Sequence, residues 1–188
     1  MSRKKFSYGA RCVVPDIGRS QFFIKELRPT QNIQNKVRDL SLNQLAARHE
    51  ELAMRIVKIS EIAKPLPDIS KELFDEASQV ASEALHLAIL MSKYGREIVP
   101  SSEAFRNFRK EHANNGIAIL TDQFEILEYN MKMFRLQFEG SHFPFKVRID
   151  ALFAMWNIVM EMTEFRCLIY ERRRGHECRS TAPYVVNP

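Results

Sequence analysis

In three segments between Leu42 and Phe138, apolar residues recur at steps of three and four, and this spacing constrains the fold more than any other feature. Such steps place side chains on one face of an α-helix, whereas a strand alternates every second residue. The first stripe runs Leu42, Leu45, His49, Leu52, Ile56, Ile59, Ala63. Ser41 is placed to cap it, Gln44 to complete a capping box and Leu40 to staple the entry. Lys64-Pro65-Leu66-Pro67 stops it, because proline lacks an N–H and disfavours α geometry in the residue before it. Asp68 is expected to cap a second helix with the stripe Leu73, Ala77, Val80, Ala84, Leu87, Met91, Tyr94, ended by Gly95. Its small residues Ala77, Ala81, Ala84 and Ala88 allow a neighbour to come close. The two helices predict an antiparallel hairpin over 40–95.

Pro100-Ser101-Ser102-Glu103 opens a shorter helical stretch to about Asn114, and Asn114-Asn115-Gly116 reads as a turn. Thr121 is the expected cap of a fourth helix with the stripe Phe124, Leu127, Met131, Phe134, Phe138, ended by Gly140. Residues 117–120 could join it and make the third and fourth helices one bent unit. Ser141 and Pro144 introduce the last helix, 145–172. Eighteen of residues 145–170 are apolar, and they are not confined to one stripe. A helix apolar nearly all round must be covered on most of its surface. It is either the centre of the bundle or the seam of a homodimer.

The fold class predicted is therefore all-α, a bundle of four to five helices at 39–172. A basic, mostly irregular arm (1–38) precedes it and a basic tail (173–188) follows. Within the arm, 11–14 and 21–27 are candidate short strands. The 188 residues, 45% apolar and 27% charged, suit one domain with a real core and exclude a disordered regulator. Six Gly and eight Pro are too few for the turns of a β-sandwich. The longest apolar run, Ala151 to Met160, is interrupted by Asn157 and is far short of the roughly 20 residues that span a bilayer, so no membrane is expected. Cys12, Cys167 and Cys178 are odd in number and far apart, and no apolar segment of a signal peptide follows Met1-Ser2-Arg3-Lys4-Lys5. A reducing, cytoplasmic setting with free thiols is the expectation.

The net charge of +5 is uneven: residues 1–38 carry +7 and residues 166–188 carry +3, leaving the body at −5. Arg3, Lys4, Lys5 and Arg11, interleaved with Phe6 and Tyr8, could neutralise phosphates and stack on bases, or meet an acidic protein face. Arg172, Arg173 and Arg174 are expected in the last turn of the final helix, where cations suit the helix dipole and could bind an acidic partner. His176, Glu177 and Cys178 with Cys167 do not provide the two close ligand pairs of a structural zinc site. No metal or cofactor is expected, and no Gly-rich phosphate loop, nucleophile elbow or HExxH occurs.

Arg106-Asn107-Phe108-Arg109-Lys110-Glu111-His112 resembles the motif of HEPN-domain ribonucleases, all-α bundles that dimerise to bring two such motifs into a cleft. The resemblance implies His112 as general acid/base, Arg106 as stabiliser of phosphate charge and Asn107 as a positioning residue. A second pattern competes with it. Met131, Met133, Met155, Met160 and Met162 are interleaved with Phe134, Phe138, Phe143, Phe145, Phe153 and Trp156. Methionine-rich apolar surfaces repack around helical partners. The function expected is non-enzymatic: a regulatory protein, dimeric with itself, that binds a protein partner through Phe153, Met155, Trp156 and Met160. A transcription regulator is one candidate target. The alternatives are the ribonuclease and nucleic-acid contact through the basic ends.

Overall fold

The computed structural model describes residues 40–93 and 103–180, apart from the side chains of 92, 93, 104 and 176–180. These residues form five helices and, among them, no strand: α1 (Leu42–Ala63), α2 (Lys71–Lys93), α3 (Glu103–Glu111), α4 (Ile117–Glu139) and α5 (Phe145–Ser180). The all-α bundle is thus what the chain adopts. The candidate strands, Tyr94 and Gly95 lie outside the described residues.

Local signals set α1. Ser41 Oγ accepts from the Gln44 backbone N–H while Gln44 Oε1 accepts from the Ser41 backbone N–H, the reciprocal pair of a capping box. Leu45, His49, Leu52, Ile56, Ile59 and Ala63 are buried on one face, and Leu40 packs against the same core. α2 returns antiparallel beside α1. Arg48 reaches Glu83 at 2.8 Å and Arg55 reaches Glu76 at 3.2 Å, seven residues up one helix and seven back along the other. Ala77, Ala81, Ala84 and Ala88 of α2 are all buried.

The cap of α2 differs from the expectation. Ser70, not Asp68, caps it: Ser70 Oγ accepts from the Leu73 N–H at 3.3 Å. Asp68 serves a different helix. Its Oδ1 accepts from the Ile69 N–H at 2.9 Å and from the Lys146 N–H at 2.8 Å, in the first turn of α5. The residue preceding α5 is Pro144, which has no side-chain acceptor, so the cap comes from a loop 78 residues earlier. Lys146 reciprocates: its Nζ donates to the carbonyls of Lys64 (3.0 Å) and Leu66 (2.6 Å) just beyond α1. Asp68→Ala removes one acceptor from two N–H groups. We expect a loss of about 1 kcal/mol, read as a drop of about 2–4 °C in thermal midpoint.

α3 and α4 are separate helices joined by the turn at 112–116, and α4 begins at Ile117 with Gly116 before it. Thr121 is therefore inside α4, where its Oγ1 donates back to the Ile117 carbonyl at 2.9 Å. At the other end Arg148 of α5 closes α4, with Nε donating to the Phe138 carbonyl at 2.8 Å and the guanidinium 4.7 Å from the Phe74 ring centre. A Cβ at Gly140 would come within 2.7 Å of the Phe143 ring, so a side chain there would force that ring to shift.

α5 is the centre of the bundle. Every other helix packs on it, α4 and α2 most extensively. At 36 residues it is about 54 Å long. It also runs farther than predicted. Arg172 to Arg174 and Gly175 do not end it, and 173–180 continue the helix instead of leaving as a tail. No helix among the described residues is long and apolar enough to cross a membrane.

Candidate functional site

The residues expected to form the docking face are largely inside the bundle. Met155 is 0% and Phe153 7% exposed, and Met162 is fully buried beside them. Trp156 and Met160 are half-buried and packed against the core. Trp156 also has an internal partner: its Nε1–H donates to Nε2 of His49 across α1 and α5 at 3.0 Å. His49 is buried, and that burial holds its pKa below the usual histidine value. The imidazole is therefore neutral with its proton on Nδ1, leaving Nε2 free to accept. The Met- and Phe-rich residues of α5 are core because α5 sits between α2 and α4, not because their composition differs from that of an interface.

The Arg106/His112 motif does not converge either. Phe105 is buried, and Phe108 stacks edge-on against Phe165 of α5, so this side of α3 faces the bundle. His112 follows the same side, with its ring 4.4 Å from Phe108 and 5.0 Å from Phe165. Arg106 and Asn107 are exposed. Six residues of α-helix put Arg106 about 120° round the axis from His112. The polar side chain at His112 is Asn115, whose Nδ2 lies 2.9 Å from Nδ1. A nucleic-acid phosphate reaching both Arg106 and His112 would have to straddle the helix.

Arg172 is likewise occupied. Its Nη2 donates to the carbonyl of Ala113, with that of His112 at 3.5 Å, so it pins the turn after α3 to α5. Arg173 is half-buried and engaged, and Arg174 lies 5.7 Å from the Tyr170 ring centre. The triplet belongs to the fold more than to a free cationic tail. Arg3, Lys4, Lys5 and Arg11 lie outside the described residues. Among the described residues no group of three or more His, Cys, Asp or Glu could hold a metal, and Cys167 is buried and in no disulfide.

What the structure exposes instead is the far side of α4. Its inner stripe, Leu120, Phe124, Leu127 and Met131, is buried, with Phe134 and Phe138 packed against the core. A second stripe, Ile119, Ile126, Tyr129, Met133 and Leu136, is 44–61% exposed. At about 100° per residue the two stripes are centred about 150° apart. With Asp122, the outer positions step 119, 122, 126, 129, 133, 136, the spacing of a helix–helix seam. Met54, Val57 and Ile62 on α1 are exposed too, but exposed Arg55, Lys58 and Glu61 lie among them and they form no line. A run of five large apolar side chains along one helix face is more than scattered surface residues produce. The signal was present in the sequence, since the outer stripe has the same three-and-four spacing as the inner one.

Compared with known protein families, curated proteins and solved structures, the chain matches none.

Proposed function

We propose that this protein is a non-enzymatic interaction protein that docks an amphipathic helix of a protein partner on the outer face of α4. The reading places it in a reducing, cytoplasmic compartment and assigns it a regulatory role exercised through that contact. The observation that carries it is the double stripe of α4. One side builds the core, and the other holds Ile119, Ile126, Tyr129, Met133 and Leu136 in water. Burying a side chain of this size on a partner gains about 1.5–3 kcal/mol, and Tyr and Met are common anchors of such contacts. The bundle behind supplies rigidity, since α4 is held along its length by α5 and clamped at its end by Arg148. The catalytic reading has no comparable support, as half-buried His112 packs on Phe108 and Phe165 and lies beside Asn115, with Arg106 about 120° round the helix.

A photo-crosslinking side chain substituted for Tyr129 tests the proposal in the host cell. Val57, similarly exposed on α1, serves as the control position. Expected is a discrete protein adduct at 129, mapped by mass spectrometry to a helical segment, with none of comparable yield at 57. Equal, diffuse labelling at both positions, or adducts to nucleic acid alone, would overturn it.

A further inference from the structure

The exposed stripe of α4 has an internal symmetry. About the midpoint between Leu127 and Glu128, Ile119 mirrors Leu136, Asp122 mirrors Met133 and Ile126 mirrors Tyr129. We infer that the helix docked on α4 is α4 of a second copy of this chain, running antiparallel about a two-fold axis at that midpoint. The inference rests on reading α4 as the docking face and names its occupant.

Three features favour a second copy in this orientation. First, an isologous contact requires a surface complementary to itself, in which residue i meets j and j meets i. The spacing of the stripe meets that condition over about 25 Å of helix, with apolar residues facing one another at every layer except the two of Asp122 and Met133. Ile126 faces the partner's Tyr129 on both sides of the axis, and Ile119 faces the partner's Leu136 at each end. Second, the flanking charges agree with the antiparallel direction. Glu125 and Lys132, both exposed, border the same side of the stripe one heptad apart. Antiparallel pairing sets Glu125 beside the partner's Lys132, and the two-fold axis repeats that opposite-charge contact. Third, the alternative direction is penalised. Parallel pairing would set Asp122, the only charged position of the stripe, against the partner's Asp122, whereas antiparallel pairing lays it beside the partner's Met133. A two-fold contact also closes on itself, so it yields a dimer and not a filament. One helix per side is at the small end of specific interfaces, so the dimer exchanges with monomer as concentration falls.

Charge reversal at the flanks provides the test on the purified full chain, followed by sedimentation velocity over a concentration series. Wild type is expected to shift from monomer to dimer. Glu125→Lys sets two lysines against each other twice per dimer, and Lys132→Glu does the same with two glutamates. Each single variant should self-associate about tenfold more weakly. The double variant Glu125→Lys/Lys132→Glu restores both opposite-charge contacts and should regain the wild-type constant. The two single variants mixed should form a 1:1 heterodimer, because one carries only lysine and the other only glutamate at these positions. Restoration by the double variant separates lost pairing from lost folding. Wild type that stays monomeric throughout, or single variants that dimerise as wild type does, would overturn the inference. A monomeric chain whose position 129 still crosslinks to a different protein would refute the second copy and leave the docking face standing.

Discussion

Met155→Ala lowers the unfolding free energy by about 3 kcal/mol, while Ile126→Ala in the monomer changes it by less than about 0.5 kcal/mol. Both residues are large and apolar, and both lie in the Met- and aromatic-rich half of the chain. They differ in surroundings. Met155 is 0% exposed within α5, the helix on which the others pack, so truncation removes packed atoms and leaves a cavity that rigid helices only partly fill. Ile126 has water on its outer side, and truncating it opens no cavity. Urea unfolding at low protein concentration measures both, with an unchanged m-value showing that the compactness of neither end state has shifted. An interface residue behaves in the opposite way, sparing monomer stability and weakening association. A Met155→Ala variant as stable as wild type would return α5 to consideration as a docking face.

What the sequence showed depends on how local each determinant is. The capping box of Ser41 and Gln44 lies within four residues and has a composition few other arrangements share, so α1 was legible to its first residue. The stripe of α1 was legible for a related reason, because period and burial coincide when a helix packs mainly on one side; α2 lies against both α1 and α5, so Ala81, Leu85, Ala88 and Ile89 are buried beside its stripe. The cap of α2 was not legible. Asp68 and Ser70 are equally good caps by type, and only the approach of Lys146, 78 residues later, draws Asp68 away. The end of α5 was misread because cations and a glycine together imitate a helix terminus, while Arg172 is in fact used by the Ala113 carbonyl. Core and interface could not be separated by composition in α5. A helix apolar all round is covered either by its own chain or by another, and tertiary packing decides which. The outer stripe of α4 was legible but shares its helix with the inner one, whose more apolar residues draw the eye first.

Acidification destabilises the protein through His49, and a variant pair isolates the effect. Burial holds the His49 pKa below its ordinary value of 6.5, so the folded state keeps the ring neutral while the unfolded chain protonates it near that value. The stabilising contribution is complete above pH 6.5 and is lost as pH falls from there toward the depressed folded-state value. Within that window the slope approaches about 1.4 kcal/mol per pH unit for one proton. Asp150 and Glu164 act with the opposite sign. Burial raises both carboxyls, so they favour the fold at low pH and lose that contribution as pH rises through their folded values. A single pH profile therefore mixes the two effects. Trp156→Phe removes the N–H that Nε2 of His49 accepts, leaving a buried acceptor unpaired at a cost of about 1–3 kcal/mol. It also lets the His49 pKa rise, because the lost hydrogen bond favoured the neutral ring. His49→Leu/Trp156→Phe replaces both partners with apolar groups and should recover most of that loss, since nothing polar is then stranded. The double variant retains Asp150 and Glu164, so the difference between its stability profile and that of wild type is the histidine contribution alone. Denaturant midpoints from pH 8 to pH 5 should fall more steeply for wild type below about pH 6.5. Parallel profiles for the two proteins would mean that His49 titrates alike in the folded and unfolded states, and that its hydrogen bond to Trp156 does not hold it neutral.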